Sequence, residues 1–303
     1  ARILTPDILT SALPAHGVVH ASPIEPGYLI TKESGMYYEN DLLTQKLSAG
    51  SISFYPACDT LLHKADVKYM VCDDILYQVD HTLSKTMIAR TETRMPARTV
   101  WLGLAVDDSL TDLENISFYL DFPNLTESYE YLFLLPCTEW SAGGNPIRME
   151  PGIYEKSRLP EESTRAFFRS YDVMFVIDKE VMELYNKHFL RVSQPVPLDE
   201  VDKEPLPKAL SSCFGERVRE KMQEKLVWVK IVFPAHFTPE ILEELHAGIN
   251  IVPVENKLLH EQTTSLEDTF RVIPLRTGNY ESLLSVHSVK DSDGKSYHEL
   301  QYP

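Results

Sequence analysis

The chain has 303 residues, 43% of them hydrophobic and 24% charged, which is enough apolar material for one large core or two smaller ones and makes disorder the wrong expectation. Its 45 acidic against 29 basic side chains leave a formal charge of −16, a balance that repels a phosphate backbone and an anionic leaflet and so argues against nucleic-acid and membrane-surface binding. The cysteines, Cys58, Cys72, Cys137 and Cys213, form no Cys-x-x-Cys pair, which excludes a zinc knuckle or dense disulfide framework and fits reduced thiols in a cytoplasmic protein.

Twenty prolines and fifteen tyrosines against twelve glycines point to short strands joined by Pro-punctuated loops. In residues 1–114 the apolar runs 17–21, 52–55, 67–71, 75–79 and 100–106 predict strands. Asp73-Asp74, between two of them, predicts a hairpin turn, because Asp tolerates positive φ. This part reads as a β-rich domain.

From residue 115 the pattern becomes α+β. A strand at 116–120 stops at Phe122-Pro123 and precedes a helix capped by Thr126. Helices follow at 161–169 and 179–190, the second capped by Asp178 after a strand at 173–177. Residues 192–207 mix Pro195, Pro197, Pro205 and Pro207 with acidic side chains and read as an exposed loop. After a helix at 216–225 comes a strand at 227–232, a stop at Phe233-Pro234, and a helix opened by Thr238 and Pro239 and closed by Gly248. Segments 116–135 and 227–247 therefore repeat one strand-to-helix phrase, either an internal duplication or two chance copies of a common strand–Pro–capped-helix pattern. Strands at 249–254, 269–273 and 283–289, then a turn at 291–294 leading into a last strand at 295–300, complete the pattern. The expected fold is α+β and β-rich, with mostly antiparallel sheets or sandwich-like layers and a few short helices, divided into domains 1–114 and 115–303.

No window reaches the roughly 18 apolar residues of a membrane span, and no signal peptide is visible, so direct membrane insertion is not expected. The P-loop, dinucleotide-binding, nucleophile-elbow and zinc-protease motifs are all missing. His16 and His20 would share a face, but on a strand they stand about 13 Å apart, too far for one ion. The carboxylates Asp107, Asp108, Asp112 and Glu114 lack the alternating oxygens and central Gly of a calcium loop, and Gly143-Gly144 reads as a plain turn. Neither a cofactor nor a catalytic constellation is expected.

Three late segments carry a resemblance. Residues 249–256 (Ile-Asn-Ile-Val-Pro-Val-Glu-Asn), 269–274 (Thr-Phe-Arg-Val-Ile-Pro) and 284–289 (Leu-Ser-Val-His-Ser-Val) look, in order and spacing, like consecutive signatures of the TssF (VasA-like) family of type VI secretion baseplate subunits. Upstream, residues 13–23 resemble the family's entry into its first strand, 116–121 its R-F-Y-L-D strand, and 226–234 the strand before the PVxN segment. Glu255 stands where an apolar residue is usual, and family members begin before Ala1 and continue past Pro303, so the chain looks like an internal part of a divergent member. The resemblance implies a structural wedge subunit that joins TssG- and TssK-type proteins around the spike hub, from which sheath and tube polymerise, with no turnover. It implies a cytoplasmic place, docked with the baseplate at the inner face of the envelope. Pro253, Val254, Asn256, Arg271, Pro274 and Ser288 are its signature and candidate interface residues; the two prolines either mark strands leaving a sheet or simply end core strands. The rival reading is a secreted or surface carbohydrate- or protein-binding β-module with Trp101, Trp140 and Trp228 in a groove, although Trp101 and Trp228 sit in core-like apolar runs.

Overall fold

The computed structural model describes residues 13–38, 52–93, 95–153, 181–257, 261–265, 286 and 288–297. The helix expected at 161–169, the strands expected at 173–177 and 269–273, and Arg271 and Pro274 lie outside them. The architecture is α+β and strand-rich, and the pairing is antiparallel in each sheet described below.

The largest sheet runs β12 (Asn145–Ile147), β11 (Glu139–Ala142), β16 (Leu226–Val232), β9 (Thr99–Val106), β6 (Ala65–Cys72), β7 (Ile75–Val79), β8 (Lys85–Arg90), with β15 (Lys203–Glu204) also on β16. Strands from both sides of residue 114 share it, meeting where β16 pairs with β9. Val100, Leu102 and Leu104 of β9 and Val227, Val229 and Ile231 of β16 face one core, while Leu226 and Trp228 face another. Burial on both faces is why these strands read as unbroken apolar runs. In β6 the register slips between Val67 and Tyr69, and this bulge lets both Val67 and Met70 enter the first core. Asp73, at φ 50, makes the expected two-residue turn between β6 and β7.

A second sheet, β13 (Met149–Pro151), β14 (Phe189–Val192), β10 (Ser117–Asp121), β17 (His246–Ile249), closes the first core with Phe118, Leu120, Leu190, Val192, Ala247 and Ile249. Helices α1 (Ser128–Leu132) and α5 (Pro239–Glu243) add Leu132 and Leu242. The opposite face of the large sheet is covered by Leu206, Leu210, Phe214 and Met222, around the short helices α3 (Lys208–Ser211) and α4 (Glu216–Lys221). Gly103 lies opposite Trp228, and a Cβ there would stand 3.0 Å from the indole.

The third sheet runs β1 (His16–His20), β18 (Ile251–Asn256), β4 (Ile52–Pro56), β3 (Met36–Tyr38). The pair β2 (Tyr28–Ile30) and β5 (Thr60–Leu62) packs on it through Ile30 and Leu62 against Val252 and Val254. Helix α2 (Val181–Asn186) brings Met182 to Tyr119, Phe189 and Ile251. A short ladder, β19 (Val289–Lys290) with β20 (Ser296–Tyr297), closes the turn expected at 291–294.

Several expectations need correction. The helix read over 179–190 ends at Asn186, because Phe189–Val192 is buried as a strand between β10 and β13. The helix at 216–225 ends at Lys221. Glu127, not Thr126, occupies the N-cap of α1, and α5 ends at Glu243, leaving Gly248 inside β17. Residues 192–207 do not form an exposed loop: Val196, Leu198, Val201 and Leu206 are buried between the prolines, and Leu198 N–H donates to Thr111 O at 2.9 Å.

Candidate functional site

The run 249–254, read as one strand, is broken at Asn250, where the chain passes from the second sheet to the third. Asn250 takes φ 57, a left-handed conformation that Asn tolerates better than most residues. Its buried side chain stands in for the missing ladder: Oδ1 accepts from His63 N–H at 2.9 Å, and Nδ2 donates to His63 O at 2.8 Å and Ala65 O at 2.9 Å. Its own carbonyl accepts from Ala21 N–H at 3.0 Å.

Beyond this joint, β18 lies between β1 and β4, with Val18 opposite Pro253 and Pro56 opposite Val254. Pro253 therefore neither ends its strand nor lies on an edge. Its carbonyl accepts from Ala57 N–H at 2.8 Å, just past β4. A strand residue's N–H and C=O point to the same side, so the N–H that proline lacks would face the place where β4 has run out. Val254 is buried, and Asn256 Nδ2 donates to Ser53 O at 2.8 Å while its N–H donates to Ala15 O at 2.7 Å. These three signature residues hold the sheet together from within. Ser288 is exposed just before β19.

A polar cluster ties this sheet to the second one. His16 Nδ1 lies 3.0 Å from the Tyr185 hydroxyl, Tyr185 packs on His188, and His188 Nδ1 is 3.3 Å from Asp121 Oδ1. Tyr119 stacks on His188 and donates its hydroxyl to Asp121 Oδ2 at 3.1 Å. Burial works to raise the Asp121 carboxyl, but the hydrogen bond and charge of His188, aided by Tyr119 and the Phe122 N–H, hold it below the usual carboxylate range. Burial, then the Asp121 charge, pushes the Tyr119 and Tyr185 phenols up. Both phenols thus keep their protons at neutral pH, and the cluster acts as a clamp between β1, α2, β14 and β10.

The other candidates find local duties. His20 Nε2 approaches Asp66 Oδ1 at 3.5 Å, away from His16's partner. Asp107 Oδ1 accepts from Ser109 N–H, and Asp112 Oδ1 accepts from Glu114 N–H and Val196 N–H, so this acidic turn organises loops. Among the described residues no group of three His, Cys, Asp or Glu side chains is placed to hold a metal ion. Gly143 and Gly144, both at positive φ, turn β11 into β12. Trp140 and Trp228 are 3% exposed and donate to Thr138 Oγ1 and Glu204 O; Trp101 lies under Lys230. No groove is built from them.

Sequence reasoning missed Arg191, buried while donating to Asn115 Oδ1 at 2.8 Å and Glu150 Oε2 at 3.1 Å, and it missed His63. Neither carries a local motif. Asn250 did carry a signal, a lone αL-tolerant polar residue inside an apolar run.

Fold and site together define an antiparallel β scaffold whose signature polar groups bond to its own backbone. Among protein-family models none matches the chain, and no curated protein matches it. Among solved structures, the chain is similar to one chain in a cryo-electron microscopy structure of the type VI secretion system TssK-TssF-TssG baseplate subcomplex, with 15% identity and a TM-score of 0.40. The match covers 88% of this chain and 48% of that chain, so the sequence spans about half the length of what it matches.

Proposed function

We propose that this chain is a structural wedge subunit of a type VI secretion baseplate, of the TssF kind, which assembles with TssG- and TssK-type proteins around the spike hub and helps nucleate tube and sheath. In this reading it works in the cytoplasm, docked at the inner face of the envelope, without cofactor or turnover.

One observation carries the reading. The TssF-like segments 13–23 and 249–256 pair as neighbouring strands, Val18 opposite Pro253, and the TssF-like segment 116–121 pairs with the strand that enters the same joint, Phe118 opposite Ile249. Segments picked out one by one for their wording thus form one unit around Asn250. The charge of −16 opposes self-association and favours basic partner surfaces. Among the described residues no helix is long and apolar enough to cross a membrane.

The test is co-expression of the tagged chain with the TssG-type protein of the same genome. A complex that co-elutes in fixed stoichiometry supports the reading. A chain that elutes alone, or that turns over a carbohydrate or peptide substrate, overturns it.

A further inference from the structure

In the third sheet β1 is bonded to β18 alone, and the bonds from Asn256 N–H to Ala15 O and from Ala21 N–H to Asn250 O fix which of its residues face that neighbour. A strand residue's N–H and C=O point to the same side, and the side alternates along the chain. Gly17 and Val19 therefore turn their backbone groups towards β18, and His16, Val18 and His20 turn theirs outwards. Among the described residues none of these outward groups has a hydrogen-bond partner. The other sheet edges carry devices that keep foreign strands off. Pro146 stands in β12 and Pro151 in β13, while β8 holds Lys85 and Arg90 and slips in register against β7. β17 lies against β6, and β3 is three residues long. β1 has five residues, His-Gly-Val-Val-His, with no Lys, Pro or bulge.

Side chains along this edge decide what it admits. A Cβ on Gly17 would meet no atom of the described residues within 4 Å, and Val19, on the same face, is 37% exposed. An antiparallel strand that takes up the outward groups of His16, Val18 and His20 puts one residue opposite Gly17 in the closer, non-hydrogen-bonded kind of pair. A large apolar side chain there fills the space that glycine leaves. Residues 13–24 contain no Asp, Glu, Lys or Arg. At the His20 end Asp66, its side chain 45% exposed, lies 3.5 Å from His20 Nε2, and Glu25 is exposed five residues further on. At the His16 end Glu255 is engaged by Lys257. The free charge at the edge is thus acidic and sits beyond His20, so it favours a basic partner, whereas a second copy would bring another −16.

We infer that β1 accepts an extended segment of a partner protein as an antiparallel fifth strand of the third sheet, with a large apolar residue opposite Gly17 and a basic residue beyond His20. The edge serves whether or not that partner belongs to a baseplate.

The test is backbone amide NMR of the full 303-residue chain. In the free chain the amides of His16, Val18 and His20 should exchange with water faster than those of Gly17 and Val19. The probe is acetyl-Lys-Thr-Val-Thr-Phe-Thr-Gly-amide, whose Phe falls opposite Gly17 and whose Lys falls beyond His20. It should shift the β1 amides saturably with a Kd on the order of 1 mM, so that about 5 mM peptide slows exchange at the three outward amides roughly sixfold. Replacing its Phe with Gly, or its Lys with Glu, should weaken binding several-fold. Val18→Pro removes an outward donor and no bond to β18, and should weaken binding about tenfold. Val19→Lys places a guarding cation at the edge, should weaken binding several-fold, and keeps the test alive where the proline variant does not fold. Slow exchange at Val18 in the free chain, protection that grows with protein concentration alone, no response to the peptide, or unaltered affinity in the folded variants would each overturn the proposal. Co-purification with a TssG-type protein is a separate outcome, so either idea can fail alone.

Discussion

Replacing Asn250 with Ala leaves two buried backbone groups, His63 N–H and Ala65 C=O, without a partner, while His63 C=O loses one of two and keeps the Ala65 N–H. An unmet buried polar group costs about 1–3 kcal/mol. Asn250 and His63 line a depression that water can enter, so the low end applies, about 2 kcal/mol for the two groups. Alanine at φ 57 adds about 1 kcal/mol of backbone strain, giving about 3 kcal/mol in all. Asn250→Gly relieves the strain and should lose about 2 kcal/mol. Asn250→Asp keeps an acceptor for His63 N–H but turns a carboxylate towards two carbonyls, so it should do no better than Gly. Urea unfolding, with the m-value checked for constancy, reads all three variants. A loss below about 1 kcal/mol in the Ala variant, or an Asp variant as stable as the parent, would refute the claim that this side chain joins the sheets.

Gly103→Ala should destabilise by about 1–3 kcal/mol and shift Trp228 emission, because the new methyl would press on the indole and on Leu226; an unchanged melting temperature would contradict this. Burial holds His63 and His246 below 6.5, with Lys85 also lowering His246, so the unfolded chain binds protons more readily there. Stability should therefore be full above that value and fall as pH drops from about 7 towards the folded pKa values. Asp121 adds a second loss in stronger acid, as pH falls through its depressed folded pKa. His246→Asn should flatten the upper limb of a urea-midpoint-against-pH curve, and a midpoint that rises below pH 6.5 would contradict the sign. Burial pushes the Cys72 thiol up to about 12, whereas Cys137 is exposed. Alkylation near pH 8 should label Cys137 first and Cys72 only on unfolding, read by mass spectrometry of digests.

Where one physical signal dominated locally, the sequence was legible. Alternating or unbroken apolar runs located β7 and β16, and Asp73 marked its hairpin, because side-chain periodicity and turn chemistry are properties of a few adjacent residues. The misses arise where tertiary context decides. Residues 189–192 continue a helical apolar pattern, yet they are claimed by β10 and β13. Both halves of 249–254 are apolar, so periodicity cannot register that they belong to different sheets. Prolines hide the inward Val196, Leu198 and Val201 in what composition reads as a solvated loop. Pro253, Val254 and Asn256 were singled out as signature and candidate interface residues, yet no local pattern says that their strand lies between β1 and β4. Arg191 had no signal at all, since Asn115 and Glu150 reach it only once β14 lies between β10 and β13.

The order of the third sheet bears on how the protein is made. Strands β1 and β4 are not bonded to each other; each is bonded to β18, the strand between them. While a ribosome is still short of residue 251, both early strands must wait with unmatched edges, and the contacts that close the sheet join residues as distant in sequence as His16 and Glu255. High contact order of this kind slows folding and leaves nascent chains open to wrongful pairing, so the time these two strands spend unpaired is set by the position of a single late strand.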